Sequence, residues 1–180
     1  MWQRSPTCSV VRHDGSVLLP KPRHPRAATE IDAPLDVVWA VMLDTDSYGE
    51  WNPFVFRAEC PSPPSVGDPI RLHVEFGNGK RAVSPERISV VDAPRDIDGV
   101  RRATLAYVYE GLPAKLRLVR GTRLQCLTQE PGGPTRYETV EEFSGPLVPL
   151  AGPDRVEEGF RRHAAALKSR AEQLTGAGAS

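Results

Sequence analysis

Much of what usually assigns a chain quickly is missing from this one. It has three cysteines, Cys8, Cys60 and Cys126. Their number is odd and no pair stands at metal-ligand spacing, so reduced thiols in a cytoplasmic protein are expected rather than a disulfide framework or a zinc site. Neither sign of charge is in excess. The 23 Lys and Arg balance the 23 Asp and Glu, which leaves no overall basic field for nucleic acid or an anionic bilayer. The short basic pairs Arg101-Arg102 and Arg161-Arg162 read as solvated faces. No apolar run approaches the ~20 residues that span a bilayer, and the N-terminus lacks the apolar core of a secretory signal. A Gly-rich phosphate loop, a His or Cys pair at zinc spacing and a nucleophile elbow are all absent. Nucleic-acid binding, stable membrane insertion, a metal and a cofactor are therefore not expected.

What is present describes one domain. The 180 residues are 39% hydrophobic and 26% charged, a balance that supports a sizeable core. Residues 1–25 stand apart as a proline-containing extension, with a possible hairpin around Asp14-Gly15. The domain proper is expected over 26–176.

The strongest periodic signal is the last. Val156, Phe160, Ala164, Leu167, Ala171 and Leu174 follow at three- or four-residue steps, which places them on one face of an α-helix. Arg155, Glu158, Arg161, Arg162, Lys168 and Glu172 occupy the other face. Asp154 and Glu157 have the spacing of a capping box, behind Pro153. Such an amphipathic rod must lay its apolar stripe on something.

The chain before it is β-rich. Ala27–Ile31 reads as a first strand, ended by Pro34. Val37, Val38, Val41 and Met42 then give a short helix, with a second short helix before Trp51-Asn52-Pro53, where the proline stops it. From Phe54 the period becomes two. Phe54, Phe56 and Ala58 form one alternating set, and Ile70, Leu72, Val74 and Phe76 another. Segments 81–91, 103–109, 121–129 and 135–143 continue the series, with turns at 92–99, 111–114 and 131–134. Leu116, Leu118 and Val119 either extend a strand or form a short lid. The order is α+β. A sheet with one apolar face, curled round a single long helix, leaves a space in which a ligand can sit.

Two local motifs carry a family resemblance. Ile31-Asp32-Ala33-Pro34, followed by Val38-Trp39, Asp44, Tyr48 and Trp51-Asn52-Pro53, resembles the opening of the START-like helix-grip superfamily, also called SRPBCC. Glu141-Glu142-Phe143-Ser144-Gly145 resembles its last strand and exit loop. The likeness spans Arg26 to Leu174. It implies a curved antiparallel sheet of about seven strands wrapped around the C-terminal helix, with two short helices between strands 1 and 2. The superfamily includes polyketide cyclases and dehydrases, lipid-transfer domains and the birch-pollen-allergen fold, so it implies function only broadly.

Candidate site residues follow from the faces of these elements. Glu141 shares a face with Tyr137, Thr139 and Phe143; inward, it would be a desolvated acid or base, and outward it would pair with an arginine. His163, at the edge of the helix stripe, is a second acid–base candidate. Tyr107, Tyr109 and Tyr137 offer phenols to a ligand or simply pack. Leu72, Val74, Phe76, Phe143, Phe160 and Leu167 would supply the apolar wall. In the superfamily the start of the second strand, here Trp51 and Phe54, forms part of the pocket wall and entrance. His73 lies on the polar side of its strand, and Arg87 is not expected to reach a ligand. The expected function is enclosure of a hydrophobic or aromatic molecule of lipid, polyketide or isoprenoid type. The alternative is a cofactor-independent cyclase, aromatase or dehydratase. Nothing in the residues speaks to the oligomeric state.

Overall fold

The computed structural model describes residues 24–177; the expected hairpin at Asp14-Gly15 lies outside them. Strand β1 (Arg26–Ile31) leads into helix α1 (Leu35–Leu43), a 3-10 turn at Thr45–Ser47 and the single-turn α2 (Tyr48–Trp51). Six strands follow: β2 (Val55–Glu59), β3 (Pro69–Glu75), β4 (Arg81–Ile97), β5 (Val100–Tyr109), β6 (Arg120–Gln129) and β7 (Thr135–Ser144). A short helix, α3 (Leu112–Lys115), interrupts the series between β5 and β6, and the chain closes on α4 (Pro153–Ala177). The strands form one seven-stranded sheet in the order β1-β7-β6-β5-β4-β3-β2, antiparallel throughout. It curls around α4 in a helix-grip arrangement.

Alternation explains most of the sheet. In β3, Ile70, Leu72 and Val74 are buried while Arg71 is exposed, as a strand with one covered face requires. Three register shifts break the pattern. In β2 the register shifts between Val55 and Arg57; this bulge turns Val55 inward beside Phe54 and sends Phe56 out, under Arg81 (4.7 Å from guanidinium carbon to ring centroid). The expected set Phe54, Phe56, Ala58 is thereby split, because one extra residue reverses the faces. Strand β4 also runs to Ile97, through a stretch expected as a turn. After a shift between Ile88 and Val90, another between Asp92 and Arg95 takes Ala93 and Pro94 out of the ladder. The actual turn is Asp98-Gly99, with φ of 55° and 79°, the left-handed pair of a tight hairpin.

Helix α4 begins two residues earlier than a capping box at Asp154 would place it. Pro153 occupies the first turn, where its missing N–H costs nothing, and the Gly152 carbonyl accepts from the Arg155 and Val156 amides at 3.0 and 3.2 Å. Its stripe is buried at Phe160, Ala164, Leu167 and Ala171, but Leu174 is 47% exposed. Leu167 and Ala171 join Ile31, Leu35, Val38, Met42 and Leu127 in the core. At the far end the Glu172 carboxylate accepts from the Asp32 amide at 2.8 Å and from Lys168 at 2.7 Å, tying α4 to the end of β1. Arg162 donates to the carbonyls of Pro53 and Glu75, so this arginine is a clasp and not only a solvated face.

Cys60 is a free thiol, whereas Cys126 on β6 is disulfide-bonded. The expectation of three reduced thiols is corrected accordingly. Among the described residues no helix is long and apolar enough to cross a membrane.

Candidate functional site

The first turn of α4, around Val156, stands clear of the middle strands of the sheet. Between them lies a cavity of about 410 Å³, a volume suited to a small ligand. Phe54, Leu72, Val74, Phe76, Phe143 and Phe160 form its apolar wall. Phe54 sits edge-on to Phe160, ring centroids 6.0 Å apart, and its ring lies against Gly159 of α4, where any Cβ would collide with it. The mouth is framed by Leu118 and Val119 after α3 and by Leu147 and Leu150 before α4. These two loops are joined by the Leu147 amide, which donates to the Leu118 carbonyl at 3.0 Å.

Glu86, Arg123 and Glu141 are the charged residues of this lining. Strand register brings them together. Tyr107, Arg123 and Glu141 stand in one row across β5, β6 and β7. Glu86 faces Tyr109 across the β4–β5 ladder. Gly121, next to Arg123 on the same face of β6, leaves the room that the Glu141 carboxylate fills. The surface that Glu86 and Glu141 keep faces the cavity rather than bulk water.

Arg123 is 4% exposed. Its Nε donates to Thr139 Oγ1 at 3.2 Å and its Nη2 to the Tyr137 hydroxyl at 3.4 Å. The guanidinium carbon lies 4.2 Å from the centroid of Phe160, a cation–π contact. Burial opposes its charge, but Tyr137, Tyr107, Glu86 and Glu141 outweigh that and hold the guanidinium charged. Burial first, then repulsion from Glu86, pushes the Glu141 carboxyl up to about 8 against the pull of Arg123. Glu86 is raised as well, again chiefly by burial. Two buried carboxyls that repel each other cannot easily both ionise, so one keeps a proton at neutral pH.

The sequence candidates divide between the cavity and the packing around it. Glu141, Phe54, Leu72, Val74, Phe76, Tyr109, Phe143 and Phe160 line the cavity. Tyr107, Tyr137, Leu167, Trp51 and His163 are not in its wall. Leu167 is fully buried in the packed half of the helix–sheet interface. Tyr137 lies behind Arg123 and donates to Gln125 Oε1 at 2.9 Å, and Tyr107 lies against Tyr48 and Gln125. Trp51 ends α2 and packs on Tyr48 and His163, at ring-centroid distances of 5.2 and 5.6 Å.

His163 belongs to a separate aromatic box of Tyr48, Trp51 and Tyr137. Asn52 fixes its tautomer. The Asn52 Oδ1 accepts from the amides of Phe54 and Val55 at 3.0 and 2.9 Å, so its Nδ2 donates to His163 Nδ1 at 2.7 Å. The imidazole is then neutral with its proton on Nε2. Burial and the charge of Arg123 hold it well below the ordinary histidine range.

Glu86 and Arg123 were not singled out from the sequence. Their signal was alternation: Arg123 shares its face with Gly121, Gln125 and Leu127, and Glu86 shares one with Ser84 and Ile88. His73 meets Glu59 at 3.0 Å, and Arg87 pairs with Glu110 at 2.7 Å on the exposed side. Among the described residues no group of three or more His, Cys, Asp and Glu is placed to hold a metal ion.

Comparison with known proteins is consistent with this geometry. A family model described as polyketide cyclase / dehydrase and lipid transport matches residues 24–172. The solved Zhui aromatase/cyclase from Streptomyces sp. R1128 is similar in fold, with a TM-score of 0.65 and 19% identity over 85% of this chain and 95% of that one. A hypothetical protein from Helicobacter pylori gives a TM-score of 0.63 at 10% identity, covering 90% and 99%. A START superfamily protein from Mycobacterium smegmatis gives 0.55 at 17% identity, covering 84% and 98%. At these identities the likeness is one of fold. Comparison with curated proteins gives no match.

Proposed function

The chain belongs to the polyketide cyclase / dehydrase and lipid transport family, and from that premise we propose that it encloses a small, mainly apolar molecule in the cavity above β3–β7. The observation that carries this reading is the cavity itself: about 410 Å³ walled by aliphatic and aromatic side chains, with Glu86, Arg123 and Glu141 as its charged floor. A lipid, polyketide or isoprenoid fits that description, its apolar body against Phe54, Phe76 and Phe160 and its oxygen function turned to the charged cluster.

Native mass spectrometry of the purified protein tests the reading directly, with a co-purifying small molecule as the expected result. Val156 lines the same cavity from α4, so Val156→Trp should fill the space and abolish that mass while the thermal transition persists. Retention of the bound mass in the variant would place the ligand elsewhere.

A second reading is favoured by the paired carboxyls. A cofactor-independent cyclase, aromatase or dehydratase needs a base to take a proton from the carbon beside a carbonyl. It also needs an acid to protonate the departing hydroxyl, so that water leaves. Glu86 and Glu141 have the unequal protonation this requires, and Arg123 carries positive charge for a developing enolate oxygen. Glu141→Gln should then lower turnover by ~10²-fold or more while affinity changes little. Full turnover in that variant would remove the carboxyl from the chemistry and leave the carrier reading.

A further inference from the structure

The cavity combines one buried cation with two carboxyl groups, and their arrangement bears on the charge of whatever binds. Arg123 is not a vacant anion clamp. Its Nε and Nη2 are turned to Thr139 and Tyr137, and its face is covered by Phe160. Its counter-charge comes from the floor itself, Glu86 from β4 and Glu141 from β7. With one proton on the carboxyl pair the cluster is neutral overall, and the remaining lining is uncharged.

We infer that this cavity selects neutral, oxygen-bearing apolar molecules, such as ketones, alcohols or esters, and rejects ionised carboxylic acids despite its buried arginine. The inference rests on the enclosure reading above and names the substrate class for it. A ketone oxygen accepts a hydrogen bond from the protonated carboxyl and leaves the charge balance intact. A carboxylate brings a negative charge that the apolar wall cannot solvate and that Arg123, already matched, cannot offset. It can enter only with a second proton, which neutralises both glutamates and turns the guanidinium over to the ligand.

The groups that face Glu141 bear out this count. Arg123 on β6 and Glu86 on β4 are the charges that act on it. Tyr109 from β5 lines the same cavity and stays a neutral phenol, through burial and the nearby Glu86. Helix α4 contributes Val156 and Phe160 from above. Arg155 lies over the edge of Phe76, 5.6 Å from its centroid, and is itself exposed.

Calorimetric titration with two nearly isosteric compounds, 2-acetonaphthone and 2-naphthoate, tests the inference. At pH 8 the ketone should bind at least about a hundredfold more tightly than the acid. Between pH 8 and pH 6 the naphthoate should gain about tenfold per unit, because each anion carries in one proton, while the ketone stays flat. The double variant E86Q/E141Q strips Arg123 of its counter-charge and should reverse the preference towards naphthoate. Should that variant not fold, the pH profile of the native protein alone decides. Equal binding of both compounds with no pH dependence would overturn the inference and leave enclosure standing. Binding of neither would overturn the inference together with the enclosure reading.

Discussion

The two halves of α4 meet the same sheet and do opposite things with it. Around Leu167 and Ala171 the helix closes on Ile31, Leu35, Val38, Met42 and Leu127 without exposed surface. Around Val156 it stands off, with Phe160 reaching down to Arg123, and the inner face of the sheet there carries Glu86, Arg123 and Glu141 among its aliphatic and aromatic side chains. Burial of apolar surface makes the first half the main source of stability. The second half gives up such burial for a chamber with ionisable groups in it, as sites that bind or catalyse commonly do. The contrast extends to pH. The packed half contains a histidine that must stay neutral, and the open half contains carboxyls that resist ionising.

The sharpest way to break the comparison is from the packed side. Leu167→Ala should lower unfolding stability by about 2–5 kcal/mol, since it removes buried methyls and leaves a hole that the helix–sheet contact can only partly close. The variant that remains folded should bind the cavity ligand as before. Denaturant unfolding checks the first statement and ligand titration the second. A large loss of affinity at unchanged stability would mean that the two halves are one unit.

From the open side, Glu141→Gln should raise stability at alkaline pH. The Glu141 carboxyl titrates near 8 in the fold and near 4.3 when unfolded. Its contribution is therefore fully present below the unfolded value and is lost as pH rises through the folded one. Glutamine removes that loss, so melting curves should show a gain on the order of a few kcal/mol at pH 9 that shrinks as pH falls and vanishes only below about pH 4.3. A gain at all pH values would point to packing instead.

The smallest effect expected is at acid pH and belongs to His163. Its folded affinity for protons is held well below that of the unfolded chain. Stability is thus present above about pH 6.5 and falls below it, by at most about 1.4 kcal/mol per pH unit from this group. His163→Gln keeps an acceptor for Asn52 and should flatten that part of the stability profile. An unchanged acid slope would show that other groups govern it.

The helix-grip order was legible in the chain because its signals are local. The stripe from Val156 to Ala171 and the alternation of Ile70, Leu72 and Val74 each follow from a fixed number of residues per turn or pleat. The same alternation placed Glu141 on a face with Tyr137 and Phe143. It could not tell the half of that face that meets α4 from the half that stands clear of it. Tyr137 and Leu167 were on the right face and at the packed end, which is why neither lines the cavity. His163 was read as an acid–base candidate at the edge of the helix stripe, and Asn52, 111 residues away in sequence, binds it within an aromatic box.

What the sequence determined by itself, then, is the order of the main elements, the faces of those without a bulge and the family pattern at Ile31–Pro53 and Glu141–Gly145. The bulges at Phe56 and Pro94, the row of Tyr107, Arg123 and Glu141, and the approach of Glu86 were decided only by the tertiary structure. The physical reason is that a side chain's face depends on its neighbours along the strand. Which charges share a cavity depends instead on register between strands and on where a helix stops touching them, and no short stretch of chain records that.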